Sequence, residues 1–209
     1  MTKYILGGLA LVVAGVIALA VILFLWGIGS YNSMVGLKQG VDAQWAEVQN
    51  QYQRRADLIP NLVQTVSGAA NFEKSTLTEI TQARASVGQV KIDPNQAPAD
   101  PARLREFARA QDSLGGALSR LLVVSERYPE LKSNTNFQQL QAQLEGTENR
   151  IATARNRFNS AAQGYNTSVQ TFPTVLFSGM FGFTPRPYFE AKTGSDVPPP
   201  VNFDFNKSK

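Results

Sequence analysis

The sequence predicts an all-α protein: an N-terminal transmembrane helix followed by an up-and-down four-helix bundle with long first and last helices. Three observations predict it. An uncharged apolar run opens the chain, apolar seams at spacings of three, four and seven fill most of the chain beyond it, and proline- and glycine-rich punctuation divides those seams into helix-length pieces. The division expected is an anchor over residues 1–30, a bundle over 31–173, an apolar membrane-proximal segment over 174–183 and a flexible proline-rich tail over 184–209.

The anchor comes first. No charged residue lies between Lys3 and Lys38, and YILGGLALVVAGVIALAVILFLW, residues 4–26, is almost wholly apolar. About 20 such residues cross a bilayer core as a helix. Tyr4 and Trp26 stand at the ends of the run, where amphipathic aromatics favour the interfaces. A cleaved signal peptide is the competing reading. Against it, the apolar run continues for six residues beyond Ala18-Leu19-Ala20, and there is no cysteine to lipidate. The segment therefore reads as an uncleaved, single-pass anchor. Lys3 and the α-amine flank one end, Lys38 with Asp42 the other, so the positive-inside bias favours a cytoplasmic N-terminus by about one charge.

After the anchor, Tyr31, Trp45, Tyr52, Ile59 and Val66 fall on one heptad seam, with Met34, Val41, Val48 and Leu62 on its companion. The pattern falters at Gly68. A single helix over 31–88 would be roughly 85 Å long with half its seam unpaired, so a break there is expected, with a new helix starting at Asn71 and ending at Gly88. KIDPNQAPADPA, residues 91–102, is a proline-rich loop whose Asp100-Pro101 provides an N-cap and a first-turn proline. Leu104, Phe107, Leu114, Leu118, Leu121 and Tyr128 mark the next helix, interrupted by the polar Gln111 and stopped at Tyr128-Pro129. Thr135 with Gln138 suggests a capping box for the last helix, whose seam runs Phe137, Leu144, Ile151, Phe158, Tyr165 and Phe172 before Pro173.

An up-and-down course returns the last helix to the membrane end of the first. It would bring Tyr165-Asn166 beside Tyr31-Asn32, and the strings SYNSMV and GYNTSV are alike. TVLFSGMFGF, residues 174–183, then arrives at the bilayer side carrying Phe177, Phe181 and Phe183. It is too short to span. Lying in the interface and folding over the bundle base are the two readings it allows.

RRADLIPNLV at 54–63, TENRIATARNRFN at 147–159, YN at 165, FP at 172 and the terminal PPPVNFDF resemble the LemA family from about Tyr31 to Phe205. The resemblance implies a bacterial inner-membrane protein with an N-terminal anchor and an all-helical, four-helix domain. It implies no catalytic residues. Its usual topology, with the short N-terminus outside the cell, opposes the charge bias.

Within RRADLIPNLV, Pro60 sits in a helix interior, where it removes a hydrogen bond to Ala56 at a cost of roughly 3 kcal/mol. A bend there is expected. Arg55 falls on the seam of Val41, Val48 and Leu62, while Glu148 and Arg155 share the register of Gln141 and Ala162. Antiparallel pairing sets Arg55 level with Glu148, and a buried Arg–carboxylate pair that fixes register is the favoured reading. The alternative gathers Arg54, Arg55, Asp57, Asn61, Glu148, Asn149, Arg150 and Arg155 around the Pro60 bend as a ligand-sensing site for an anionic small molecule.

Composition narrows the function. The 209 residues include no histidine and no cysteine, and the net charge is +4 with both signs interspersed. The usual nucleophile–base pairs and Cys/His metal sites are thereby absent, so no enzyme and no cofactor is expected. Glu145 and Glu148 have ordinary helical spacing. No phosphate loop or nucleic-acid motif appears, and Arg103, Arg105 and Arg109 read as a solvated helix face rather than a nucleic-acid surface. What remains is a membrane-tethered helical scaffold that contacts the bilayer and binds itself or a membrane-protein partner.

Overall fold

The computed structural model describes residues 2–68 and 72–190, and no strand occurs among them. The helix start expected at Asn71 and the tail at 191–209 lie outside the described residues.

Helix α1 spans Thr2–Ser67, 66 residues, or about 99 Å at the α-helical rise. The boundary expected at residue 30 is thus not a structural break. Only isolated glycines (Gly27, Gly29, Gly36, Gly40) occur around it, each weakening a helix by about 1 kcal/mol without stopping it. The apolar span and the first bundle helix are one rod. Beyond the apolar part, α1 buries Met34, Val41, Trp45, Val48, Tyr52, Ile59, Leu62 and Val66 along the expected seam. The helix continues through Pro60, whose ring is exposed.

The break at Gly68 is present. Helix α2 covers Lys74–Gln89, α3 Pro101–Ser125, α4 Pro129–Lys132, α5 Thr135–Gln170 and α6 Val175–Ser178. Asp100 caps α3 as expected, its Oδ1 accepting from the Ala102 N–H at 2.8 Å. The cap of α5 differs from the expected box. Asn134 is the N-cap and its Oδ1 accepts from the N–H groups of Asn136 (2.9 Å) and Phe137 (3.2 Å), while Gln138 donates to the Lys132 carbonyl. With Asn134 filling the cap, Thr135 is already helical.

Helices α1 and α5 run antiparallel, and their pairing fixes the register. Trp45 packs on Phe158 with centroids 5.7 Å apart, and Arg55 bonds Glu148 at 2.8 Å. Ten residues forward in α1 is therefore ten residues back in α5. In this register Tyr31 stands level with Phe172, and Tyr165 with Lys38. The expected juxtaposition of Tyr31-Asn32 with Tyr165-Asn166 is one heptad out, about 10 Å along the helix. Tyr31 and Phe172 consequently lie beyond the end of α5, 40% and 75% exposed.

Two apolar cores stack along this pair. The membrane-distal core joins Ile59–Val66 of α1 to Ile80 and Ala83 of α2, Leu114–Val124 of α3, and Phe137 and Leu144 of α5. The membrane-proximal core joins Met34–Tyr52 to Leu104 and Phe107 of α3 and Ile151–Val169 of α5. No residue of α2 enters it. Ala97 of the proline loop, with Phe183 and Phe189 from the C-terminal segment, complete it instead. Trp45 Nε1 donates to the Asp93 carbonyl (2.9 Å), and Asp42 accepts from the Ala97 N–H (2.9 Å), which pins the loop against α1.

The C-terminal segment corrects a further expectation. Residues 184–190 are an extended strap on the bundle, with Arg186 and Phe189 buried, not a free tail. Between α5 and the strap, the segment 174–183 divides its side chains. Thr174, Ser178 and Phe183 face inward, so Phe183 is core, whereas Val175, Leu176, Met180 and Phe181 are exposed.

Because α1 carries the apolar span and the bundle seam on one rod, deleting residues 1–30 should release the protein from the membrane fraction while the bundle keeps its far-UV helical signal. Sedimentation with membranes after a high-salt wash would assign attachment to residues 172–183 instead.

Candidate functional site

Between the two apolar cores lies one polar layer, built on a single buried cation. Arg55 is 2% exposed. Its Nη1 donates to Glu148 Oε1 at 2.8 Å, and its Nη2 donates to the Gln111 carbonyl at 2.9 Å and to the Gln111 side-chain oxygen. The guanidinium also lies 5.1 Å from the centroid of the Tyr52 ring. One side chain of α1 thus holds α3 and α5 at one level. Such charge-assisted bonds are the strong class, and Arg supplies them in a fixed fork. Gly115 lies against the fork: a Cβ there would stand 3.5 Å from Nη1, in ordinary van der Waals contact.

The pair differs from expectation in one respect. Arg55 is buried, but the Glu148 side chain is 48% exposed. Water shares the carboxylate, which lessens its desolvation and its contribution. Arg155, two turns along α5 from Glu148, approaches Asp112 at 3.5 Å and lies 4.7 Å over the Phe189 ring and 5.9 Å over Tyr52. Tyr52 is therefore enclosed by two guanidinium groups and Phe107. Burial pushes its phenol pKa above the ordinary value, opposed by the charges of Arg155 and Arg55.

Of the remaining members of the sequence cluster, Asn149 lines a groove with Glu148 and Asn61 lines a separate one. Arg54, Asp57, Pro60, Asn61, Asn149 and Arg150 are exposed, and Asp57 accepts from its helix neighbour Gln53 at 2.7 Å. The groove beside Glu148, of about 480 Å³, is floored by Gly115 and Gly116 between Leu118 and Leu144. Its ionised lining groups are the carboxylates of Glu145 and Glu148. An anion there meets negative charge, and the Arg55 fork is already engaged. Among the described residues no group of three or more carboxylates gathers as a metal cage would.

The second site is the membrane end. Trp26 meets Phe177 edge-on at 5.7 Å, and Tyr31 meets Phe181 at 5.3 Å and Phe183 at 5.4 Å. Ser30 and Thr174 share a hydrogen bond of 3.3 Å. A cavity of about 460 Å³ lies between the end of the apolar span and this segment, walled by Leu23, Phe24, Ile28, Phe177 and Phe181. Asn32 is exposed, whereas Tyr165 and Asn166 are buried one heptad away from it. The Tyr165 phenol pKa is raised by burial, opposed by Arg186 and reinforced by Asp42.

Sequence reasoning missed Asn159, Arg186 and Phe189, and did not give Gln111 a role. Gln111 had a signal, as a polar residue on an apolar seam. So did Asn159 and Asn166, seven apart on α5.

The profile of the LemA family matches residues 44–203, a span containing most of the motifs quoted above. Magnetosome protein MamQ 1 and MamQ 2 of Paramagnetospirillum magneticum are each 27% identical to the chain over 183 residues, covering 80% of this chain and 67% of their own. Protein LemA of Metamycoplasma hominis is 31% identical over 153 residues, covering 69% of this chain and 64% of its own.

The polar layer predicts a measurable coupling. Arg55→Met should destabilise the fold by about 2–3 kcal/mol, because the buried Gln111 side chain loses its donor while Glu148 stays half in water. Glu148→Gln should cost less, about 1–2 kcal/mol, since Gln111 still holds the guanidinium. In chemical unfolding of the four proteins of this cycle, additive single effects would remove the pair as a coupled unit.

Tyr52 predicts a pH effect. Its folded pKa is raised, so the unfolded chain loses the proton first. The stabilisation is complete below the ordinary tyrosine value of about 10 and is lost as pH rises through the folded value. Tyr52→Phe should shallow the fall of the melting temperature on the alkaline side; an unchanged alkaline limb would exclude Tyr52 as its source.

Proposed function

The chain belongs to the LemA family, and on that premise we propose that it works as a membrane-anchored helical scaffold that associates with itself. It is anchored by a single pass in a bacterial inner membrane. The relatives named as magnetosome proteins, and the helix long and apolar enough to cross a bilayer, support the membrane context.

The observation that carries the reading is the base of the bundle. No charged residue lies between Lys3 and Lys38, or between Arg157 and Arg186. In the observed register these two stretches meet at the membrane end. There Phe172, Leu176, Met180 and Phe181 are 56–84% exposed and sit next to the apolar span. A charge-free base with outward phenylalanine, leucine and methionine side chains suits the headgroup boundary and neighbours held in the same plane. A membrane-protein partner would use the same face.

Anion sensing at RRADLIPNLV is the weaker reading. Arg55 is committed to Gln111 and Glu148, and neither Arg54 nor Arg150 lines the groove beside Glu148.

The test substitutes Phe172, Leu176 and Met180 together by serine in the full-length chain. Because all three are exposed, the helical signal should be unchanged and the anchor should keep the protein in membranes. Co-purification of a second, differently tagged copy in mild detergent should fall. Undiminished co-purification would overturn this face as the self-association surface.

A further inference from the structure

We propose that the α5 face carrying Asn159 and Asn166 is a main-chain-reading peptide site, and that its ligand, residues 184–190, is exchanged with a second copy of the chain. The inference rests on the self-association reading and names its contact.

The geometry is that of peptide recognition. Asn166 donates through Nδ2 to the Arg186 carbonyl (2.8 Å) and accepts through Oδ1 from the Arg186 N–H (2.7 Å). Asn159 does the same with Phe189, at 2.9 Å in each direction. Each amide therefore closes a two-bond ring on the backbone of one residue. Seven helical residues advance about 10.5 Å and three extended residues about 9–10 Å. Two asparagines a heptad apart thus match residues i and i+3 of an extended chain. Such bonds read backbone, which gives affinity, while pockets for alternate side chains give specificity.

The pockets are present. Phe189 packs at 5.5 Å from Phe158 and 6.2 Å from Trp45, under the Arg155 guanidinium. Arg186 is 6% exposed and donates through Nη1 to the Ala97 carbonyl at 2.9 Å. The hydroxyl of Tyr188 accepts a further bond from Asn166, at 2.9 Å. Pro185 and Pro187 flank the buried arginine and hold the segment extended without requiring donors there. Residues 184–190 form no helix or strand themselves. They are bound to the bundle as a ligand is bound.

Exchange follows from how that ligand is tethered. The connection from α5 runs through Gly179 and Gly182, the latter at φ +73°, a conformation that suits glycine. It turns Phe172, Leu176, Met180 and Phe181 outward, and its core contacts are Thr174, Ser178 and Phe183, so releasing it costs these three inward groups. Residues 171–183 reach about 40 Å when extended. Copies anchored by the same α1 rod hold their grooves at one height above the bilayer, which raises the effective concentration of one copy's strap at its neighbour's groove. The groove accepts an identical segment by identity, and reciprocal exchange closes a two-fold pair.

The chain contains no cysteine, so introduced cysteines are unique. Arg105 on α3 and Glu190 at the end of the strap approach at 3.9 Å with side chains 50% and 69% exposed. Two differently tagged full-length copies, one Arg105→Cys and one Glu190→Cys, would be co-expressed and their membranes treated with a short bis-maleimide. Exchange predicts a covalent species carrying both tags. The double variant in one chain calibrates the intrachain link. Intrachain linkage alone, with the two tags still co-purifying, overturns the exchange and leaves the scaffold standing. Failure of the tags both to link and to co-purify overturns the two together.

Discussion

The bundle depends on one buried guanidinium. Apolar seams that repeat every seven residues are satisfied equally well by registers one heptad apart, so the two cores alone leave the α1–α5 pairing underdetermined. Arg55 removes the degeneracy. In the observed register it meets Glu148. Slipped by a heptad in one direction it would face Gln141, and in the other Arg155. The first leaves a buried charge without a carboxylate and the second opposes like charges, each costing several kcal/mol. A polar residue in an apolar seam that fixes register at the expense of stability is a known device of coiled coils. Here the device also reaches the third helix through Gln111, so α3 is set by the same side chain.

A second constraint is the continuity of α1. The apolar span, the aromatic junction at Trp26 and Tyr31, the Trp45 core and the Arg55 layer all lie on one helix, Thr2–Ser67. Their relative heights and rotations are fixed by helical geometry alone. The side chain that sets bundle register is therefore also the one that sets the height of α5, and with it the level at which 172–183 meets the apolar span. The hydrogen bond between Ser30 and Thr174 lies at the level this register requires.

How much of this was legible in the sequence depends on how far each feature reaches. The long apolar N-terminal helix, the α1 and α5 seams, the Asp100 cap and the break at Gly68 are local, and each was readable from spacing or cap chemistry. Arg55 and Glu148 each lie on identifiable registers, but pairing Tyr31 with Tyr165 faces Arg55 with Gln141, so the pattern did not fix their shared level. Periodicity could not choose the heptad, and hence Tyr31 was set beside Tyr165 rather than level with Phe172. The strap was illegible for a different reason. Proline-rich, irregular composition reads as a tail, and what orders it is a pair of asparagines 20 and 30 residues earlier. The heptad spacing of Asn159 and Asn166 marks a shared helix face, but it does not show whether their amides meet water or another backbone.

The strap and the short second helix are one structural fact. At 16 residues, α2 covers only the distal core, and the chain turns into the 90–100 loop before reaching the level of Trp45. Were α2 as long as α5, its lower half would lie against Trp45 and Phe158, where Phe189 now packs, and Asn159 would face a helix whose backbone groups bond internally. The asparagine rings need a backbone with free N–H and C=O groups, which only an extended segment offers. The loop prepares the same place: Asp42 takes the Ala97 N–H and Arg186 takes its carbonyl, so both polar groups of one buried residue are satisfied only when the strap is seated. An empty groove would leave that carbonyl, both asparagine amides and the Trp45 face without these partners. That is the physical reason why the groove must hold an extended segment, from its own chain or from a neighbour's.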